Sequence, residues 1–274
     1  MTLNCHGNLL DLTIPKVMGI LNCTPDSFFD GGRYSSLDAL VQQAESMVEA
    51  GATFIDIGGY SSKPGAAEVS ESEELQRVLP LVKALQKLVP TALLSIDTFR
   101  SGVAQAVLDE GVAMVNDITA GADPQMMDTV AKYKVPYVMM HMRGNPQTMQ
   151  SLTQYDNLMQ ELVFYFAEKI QAAKAAGITD YIVDPGFGFA KTTEQNFEIL
   201  RNLYQFAKLD APLLIGFSRK SMIYKTLQTS ADNALNGTTF LHGFALDKGA
   251  KILRVHDVKE AVECVTLFQK LQGI

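Results

Sequence analysis

Thr53-Phe54-Ile55-Asp56-Ile57, running straight into Gly58-Gly59, is the stretch on which the fold turns. It is short, apolar on both parities except at Asp56, and stopped by two glycines. Near-continuous apolarity of this length suits a strand buried on both faces, the situation in a parallel sheet. Working outward, the same pattern recurs at Val17-Met18-Gly19-Ile20-Leu21, Ala92-Leu93-Leu94-Ser95-Ile96, Val112-Ala113-Met114-Val115, Tyr137-Val138-Met139-Met140, Tyr181-Ile182-Val183, Leu213-Leu214-Ile215 and Ile252-Leu253-Arg254-Val255. That makes eight runs, each followed by a polar or Gly-rich loop and a segment of helical periodicity. Alternation of this kind predicts an α/β protein, and eight units favour a closed single-domain (β/α)8 TIM barrel over an open doubly wound sheet.

The connecting segments carry helix signals at both ends. Leu37 to Ala50 keeps apolar residues at helical spacing and stops at Gly51. Ser70 and Glu73 form a capping-box pair ahead of Leu75, Val78, Leu79, Val82 and Leu85, with Pro80 predicted to kink or restart that helix. Tyr155 to Ala176 ends at Gly177, and Asp257 to Gln272 closes the chain. Asn8 to Pro15, ahead of the first strand, is predicted to form a short N-terminal hairpin at the barrel bottom. A length of 274 residues is that of one such barrel, so residues 1–274 are expected to be one domain.

Composition limits the partners. A net charge of -7 disfavours nucleic acid and anionic lipid, both of which reward a basic surface. No stretch approaches the length of a membrane span, and Met1 to Lys16 has no export-signal pattern. Cys5, Cys23 and Cys264 are odd in number and lack metal-ligand spacing, which predicts reduced thiols and a cytoplasmic location.

Barrel enzymes place their chemistry where the strands stop. Here the run ends deliver Asn22, Asp56, Asp97, Asn116-Asp117, His141, Asp184, Ser218-Arg219-Lys220, and Arg254 with His256. Singly, each has an ordinary use as a turn former or helix cap. Together, Asp97, Asn116 and Asp184 supply acceptors for a planar heterocycle rich in N–H groups. Lys63, Arg219, Lys220, Arg254 and His256 supply the opposite polarity, suited to phosphate or carboxylate. Gly186-Phe187-Gly188 permits close approach of backbone to a ligand and is no Walker loop. HExxH, GxSxG and clustered His/Cys ligands are absent from the sequence. Cys23 and the methionines read as packing residues, and His6 and His242 as surface or structural ones.

Asn22-Cys-Thr-Pro-Asp-Ser-Phe and Asp56-Ile-Gly-Gly-Tyr-Ser-Ser-Lys-Pro-Gly resemble the two signature segments of dihydropteroate synthases. The resemblance continues in order through Ser95-Ile-Asp-Thr, Asn116-Asp-Ile, Met140-His-Met-Arg-Gly-Asn-Pro-Gln-Thr-Met, Asp184-Pro-Gly-Phe-Gly-Phe-Ala-Lys, Gly216-Phe-Ser-Arg-Lys-Ser and Arg254-Val-His-Asp-Val. It implies condensation of 6-hydroxymethyl-7,8-dihydropterin diphosphate with p-aminobenzoate in folate synthesis, by dissociative loss of diphosphate and attack of the aryl amine. By similarity, Asp97, Asn116, Asp184, Lys220 and Gly216 would meet the pterin, Ile118, Met140 and Phe189 would line its slot, and Arg254 would cover its face. Asn22, Ser62, Lys63, Arg254 and His256 would hold the diphosphate, with Mg²⁺ on Asn22. The p-aminobenzoate would meet Phe28, Ser62, Lys63, Pro64, Phe189, Lys220 and Ser221. Asn22, Asp97, Lys220, Arg254 and His256 would carry catalysis, with loops Thr24 to Arg33 and Gly59 to Ala67 as lids, in a homodimer. Lys63 and Ser62 depart from the family's usual arginine and threonine, keeping charge and hydroxyl but losing the two-pronged fork.

Two rivals share the pterin logic: a methyltetrahydrofolate-dependent corrinoid methyltransferase and a non-catalytic pterin-binding barrel. The anion-handling segments around Asn22, Lys220 and Arg254 would be wasted on a methyl donor, and intact acceptor and cation sets argue against a mere binder.

Overall fold

The computed structural model describes residues 1–23, 33–60 and 69–273. Its eight core strands are β3 (Lys16–Asn22), β4 (Phe54–Gly58), β5 (Leu93–Asp97), β6 (Met114–Asp117), β7 (Tyr137–Met140), β8 (Tyr181–Asp184), β9 (Leu213–Ile215) and β10 (Ala250–Val255). They pair in parallel in sequence order, and β10 closes on β3, so the sheet has no edge. Around it run α1 (Arg33–Glu49), α2 (Glu71–Leu88), α3 (Ser101–Leu108), α4 (Met126–Tyr133), α5 (Leu158–Ala175), α6 (Thr193–Arg201), α7 (Ser221–Thr226), α8 (Leu235–Asp247) and α9 (Val258–Gln272). Each apolar run of the sequence is a barrel strand. The closed barrel rules out the open-sheet alternative.

Side chains alternate across each strand, which sorts the residues into two cores. Val17, Leu21, Ile55, Ile57, Leu94, Ile96, Val115, Tyr137, Met139, Val183, Leu213, Ile215, Leu253 and Val255 face outward into the helix layer. Met18, Phe54, Met114, Val138, Ile182, Leu214 and Ile252 face inward and fill the bottom of the barrel. Continuing by twos from that bottom layer, the next inner positions are Asp56, Asn116, Met140, Asp184, Gly216 and Arg254. Strand parity thus carries the polar residues to the open end.

The bottom is plugged by a hairpin, β1 (Thr2–Cys5) and β2 (Asn8–Asp11), whose Leu3, Cys5 and following Leu12 are buried in the lower inner core. It starts earlier than Asn8, the expected beginning. The signal overlooked was His6-Gly7: both have positive φ, 52° and 89°, as a two-residue hairpin turn demands. Pro80 neither ends nor restarts α2, which runs unbroken because Val78, Leu81, Val82 and Leu85 bury its inner stripe. Only half of the capping box at its start forms: Ser70 Oγ accepts from the Glu73 N–H at 3.2 Å, while the Glu73 carboxylate pairs with Arg77 at 2.5 Å.

No helix among the described residues is long and apolar enough to cross a membrane. Cys5, Cys23 and Cys264 are free thiols, and burial pushes Cys5 and Cys23 up to about 12, which keeps both protonated and unreactive.

Candidate active site

Asp56 organises the open end of the barrel. It is fully buried and accepts three hydrogen bonds, from Ser95 Oγ at 2.6 Å, Asn116 Nδ2 at 2.9 Å and Arg254 Nε at 2.6 Å. A carboxylate only accepts, so it fixes the Asn116 amide with NH₂ toward Asp56 and leaves the Asn116 oxygen as an acceptor. Arg254 then spans two carboxylates, its Nη2 donating to Asp97 at 2.6 Å. Burial works against the Arg254 charge, but Asp56 and Asp97 hold its pKa above the ordinary value. Asp97 is raised above the usual carboxylate range by burial, with Arg254 pulling the other way. Sequence reading assigned no role to Asp56. The available signal was its parity, since Phe54, Asp56 and Gly58 share the inner face.

Two glycines keep this ring open. A Cβ at Gly58 would stand 3.6 Å from Asn22 Oδ1 and 3.8 Å from Asp97 Oδ2. One at Gly216 would stand 3.8 Å from Asp184 Oδ2 and 3.9 Å from Arg254 Cβ. Either methyl would occupy the space between the groups a ligand has to reach. Asp184 itself is buried, accepts from the Gly186 N–H at 2.8 Å, and is raised by that burial against the opposing pull of Lys220.

Lys220 approaches from the far side. Its Nζ donates to the Phe187 carbonyl at 2.7 Å and lies 4.6 Å from the Phe189 ring centroid. Burial lowers it to about 8, with Asp184 opposing. Ser221, the next residue, opens α7 and is partly exposed. His256 is exposed on one side, and its ring Nδ1 is 3.3 Å from Ser218 Oγ. Lost hydration of the ring's inner side, and then the Arg254 charge, bring His256 down to about 4, so it is neutral at pH 7.

Ile118, Met140 and Phe189 do come together, in one apolar wall with Met149 and Ala190, flanked by Phe99 and Met142. Met149, Ala190 and Phe99 were given no place in the site, since they sit in loops and short turns that carry no periodicity, and Met142 read as a packing residue. A cavity of about 580 Å³ adjoins this wall through Ile118, Phe99 and Met142, with Tyr60, Arg100 and Asn145 on its other sides.

Two expectations change. Arg219 is no free cation: it forks onto Asp257 at 2.8 Å through Nε and Nη2, and Nη1 donates to the carbonyls of Ala231 and Asp232 at 3.0 and 2.5 Å. With its donors spent, it pins the loop before α8 to the start of α9. Gly186 brings its backbone close to protein, not ligand. At φ 70°, a Cβ there would fall 2.1 Å from the His141 carbonyl oxygen. His141, another strand-end residue, points behind the barrel mouth, where it is buried edge-on against Tyr165 at 4.8 Å. His242 is structural as expected, buried and stacked on Phe217.

Phe28, Ser62, Lys63 and Pro64, with most of both proposed lids, lie outside the described residues. Among the described residues no three His, Cys, Asp or Glu side chains gather as a metal cluster. Asn22 Oδ1 stands beside Gly58 at the mouth, next to Asp97. A neutral amide oxygen fits Mg²⁺, which binds through few protein oxygens when phosphate and water supply the rest.

The fold has counterparts. Residues 18–256 match the pterin binding enzyme family. The chain is 44% identical over 271 residues to the dihydropteroate synthase of Escherichia coli strain K12, covering 98% of this chain and 96% of that protein. It superposes with a TM-score of 0.93 on a Yersinia pestis dihydropteroate synthase in a sulfonamide drug complex, 42% identical with all of both chains covered. The Xanthomonas albilineans dihydropteroate synthase with 4-aminobenzoic acid gives a TM-score of 0.92 at 39% identity, covering 100% of this chain and 98% of that one. An acceptor-lined barrel mouth and whole-length similarity at this level leave one placement: the chain belongs to the dihydropteroate synthase family of pterin binding enzymes.

Proposed function

We propose that the chain condenses 6-hydroxymethyl-7,8-dihydropterin diphosphate with p-aminobenzoate, releasing 7,8-dihydropteroate and diphosphate. The observation that carries this is the single ring in which Asp97, Asn116 and Asp184 present acceptors while Lys220 and Arg254 present donors. The pterin's N–H edge meets the first set and its carbonyl and ring nitrogen meet Lys220. Ile118, Met140 and Phe189 sandwich the ring over Gly216, and Arg254 covers its face. The amine partner sits beside Phe189 and Lys220, its carboxylate near Ser221. The roles of Phe28, Ser62, Lys63 and Pro64 toward this partner, and of Ser62 and Lys63 toward diphosphate, rest on sequence resemblance alone.

Arg254, Asn22 and His256 hold the diphosphate, and Asn22 also offers its amide oxygen to Mg²⁺. The metal, when bound, neutralises charge on the leaving group. The bond between the pterin methylene carbon and the diphosphate oxygen breaks with its electron pair on oxygen, leaving a cation delocalised into the pterin. The amine nitrogen lone pair forms the new carbon–nitrogen bond, and its surplus proton goes to diphosphate or solvent. Fixed donors aimed at the leaving group supply the acceleration. His256 enters neutral, and approach of the diphosphate raises its affinity for a proton.

Diphosphate release should require both substrates and stop when Mg²⁺ is chelated. Release without the amine would count against the reading.

Lys220 gives a pH signature. With its ammonium lowered to about 8, kcat/KM should fall about ten-fold per unit above its pKa. Arginine stays charged, so Lys220→Arg should start from lower activity yet lose that alkaline limb. An unchanged limb would exclude Lys220 as its source.

The chain is further proposed to form a homodimer in the cytoplasm. Phe240 and Phe244 on α8 and Leu267 and Leu271 on α9 are 64, 49, 67 and 84% exposed on two packed helices. Large exposed apolar side chains on two neighbouring helices suit a second copy of the chain. Sedimentation velocity should show a dimer that Phe240→Asp with Leu267→Asp converts to monomer; a monomeric parent protein would contradict this. The free thiols suit a reducing compartment.

A further inference from the structure

We infer that Lys191 is a positioning residue for pterin recognition: its buried ammonium clamps the loop after β8 onto the end of β7, setting Phe189 and Lys220 in the slot. The inference rests on the reading of that slot as the pterin site.

Lys191 is 5% exposed, and its Nζ faces four acceptors: His141 Nδ1 at 3.0 Å and the carbonyls of Phe189 at 2.9 Å, Gly186 at 3.0 Å and His141 at 3.3 Å. Two lie at the end of β7 and two in the loop after β8, so one ammonium ties the segments together. An aliphatic residue would fill a core position without penalty, whereas burying a lysine carries a desolvation cost. That cost shows here, since burial lowers Lys191 to about 7 with Asp184 opposing. His141 is held neutral by burial and by the Lys191 charge, so its Nδ1 lone pair is available to accept.

The clamped loop touches three parts of the site. The Gly186 N–H is bonded to Asp184, the Phe187 carbonyl anchors Lys220, and the Phe189 ring walls the slot while its own N–H bonds the Gly186 carbonyl at 3.1 Å. The diphosphate groups Asn22, Arg254 and His256 lie on other strands. A loosened loop should therefore weaken pterin binding and spare anion binding.

Calorimetry with 6-hydroxymethylpterin and with inorganic diphosphate tests this. Lys191→Met should weaken the pterin at least ten-fold, about 1.4 kcal/mol, while diphosphate affinity stays within two-fold. Methylammonium should restore part of the pterin affinity to Lys191→Ala, an effect that simple loss of packing would not give. His141→Phe, which removes one acceptor and keeps a ring against Tyr165, should weaken pterin several-fold and carries the test if the lysine variants fail to fold. Pterin affinity within two-fold of the parent in the folded variants, or equal weakening of both ligands, would overturn the inference. Failure of the parent chain itself to bind the pterin would instead overturn the pterin reading, and the inference with it.

Discussion

Arg254→Met is expected to lower kcat/KM by about 10³ and to destabilise the fold by about 3 to 5 kcal/mol, the largest double loss at any one position. Both follow from its two bonds at 2.6 Å, to Asp56 and to Asp97. Catalysis loses a fixed donor to the leaving group and a cover for the pterin. Folding loses the cation that compensates two carboxylates at the barrel mouth, leaving Asp56 with one hydroxyl and one amide donor. The pH dependence distinguishes this from a packing defect. Asp97 is already raised by burial against the pull of Arg254, so removing the guanidinium raises it further. A folded-state pKa above the unfolded value near ~3.9 means the folded chain keeps a proton that the unfolded chain has lost, so stability falls as pH rises through that interval. Both folded forms keep that proton up to the parent's value of about 7, so the gap between variant and parent should stay small from pH 4 to pH 6.5 and widen above pH 7. Denaturant titrations at both ends would show it, and a gap independent of pH would place the damage in packing. Arg254→Lys keeps the charge but cannot reach both carboxylates, and should fall between.

Asp184 is the second position of large effect. It sits between Gly216 and the Lys220 charge, with Oδ1 taken by the Gly186 N–H and Oδ2 3.8 Å from where a Cβ on Gly216 would stand. A carboxylate held this way accepts charge-assisted hydrogen bonds worth about 1.5 to 3 kcal/mol each. Asp184→Ala should weaken pterin by about ten- to a hundred-fold. Asp184→Asn, nearly the same shape, should do no better, because its amide turns a donor toward donors. Calorimetric pterin affinity unchanged in both variants would remove Asp184 from the site.

The legible part of this protein was what depends on period and position. Eight apolar runs fixed the strand number, and strand ends gave Asp97, Asn116, Asp184 and Arg254, which the closed barrel brings to one mouth. Asp56 was placed at a strand end but given no role, because its importance lies in what it touches across three other strands, at Ser95, Asn116 and Arg254, and strand pairing at that range has no local signature. Arg219 was misread for the converse reason. Its neighbour in the chain faces the site, while its own positive φ of 55° turns it toward Asp257. Lys191 received no reading of its own beyond its place at the end of the Asp184 motif, since nothing in the sequence reports burial of a single charge. The hairpin was anticipated from its place ahead of β3, but its start was missed where the turn residues His6 and Gly7 were not used.

The central claim is that this barrel mouth joins pterin to an aryl amine at the expense of diphosphate. Its most direct test is to incubate the chain with the pterin diphosphate, p-aminobenzoate and Mg²⁺, and to quantify 7,8-dihydropteroate and diphosphate in the same samples by mass spectrometry. The account predicts equal amounts of both at every time, and neither product above background when the amine is omitted. Diphosphate appearing without an equal amount of dihydropteroate, or no turnover from a folded chain that binds both substrates, would contradict it.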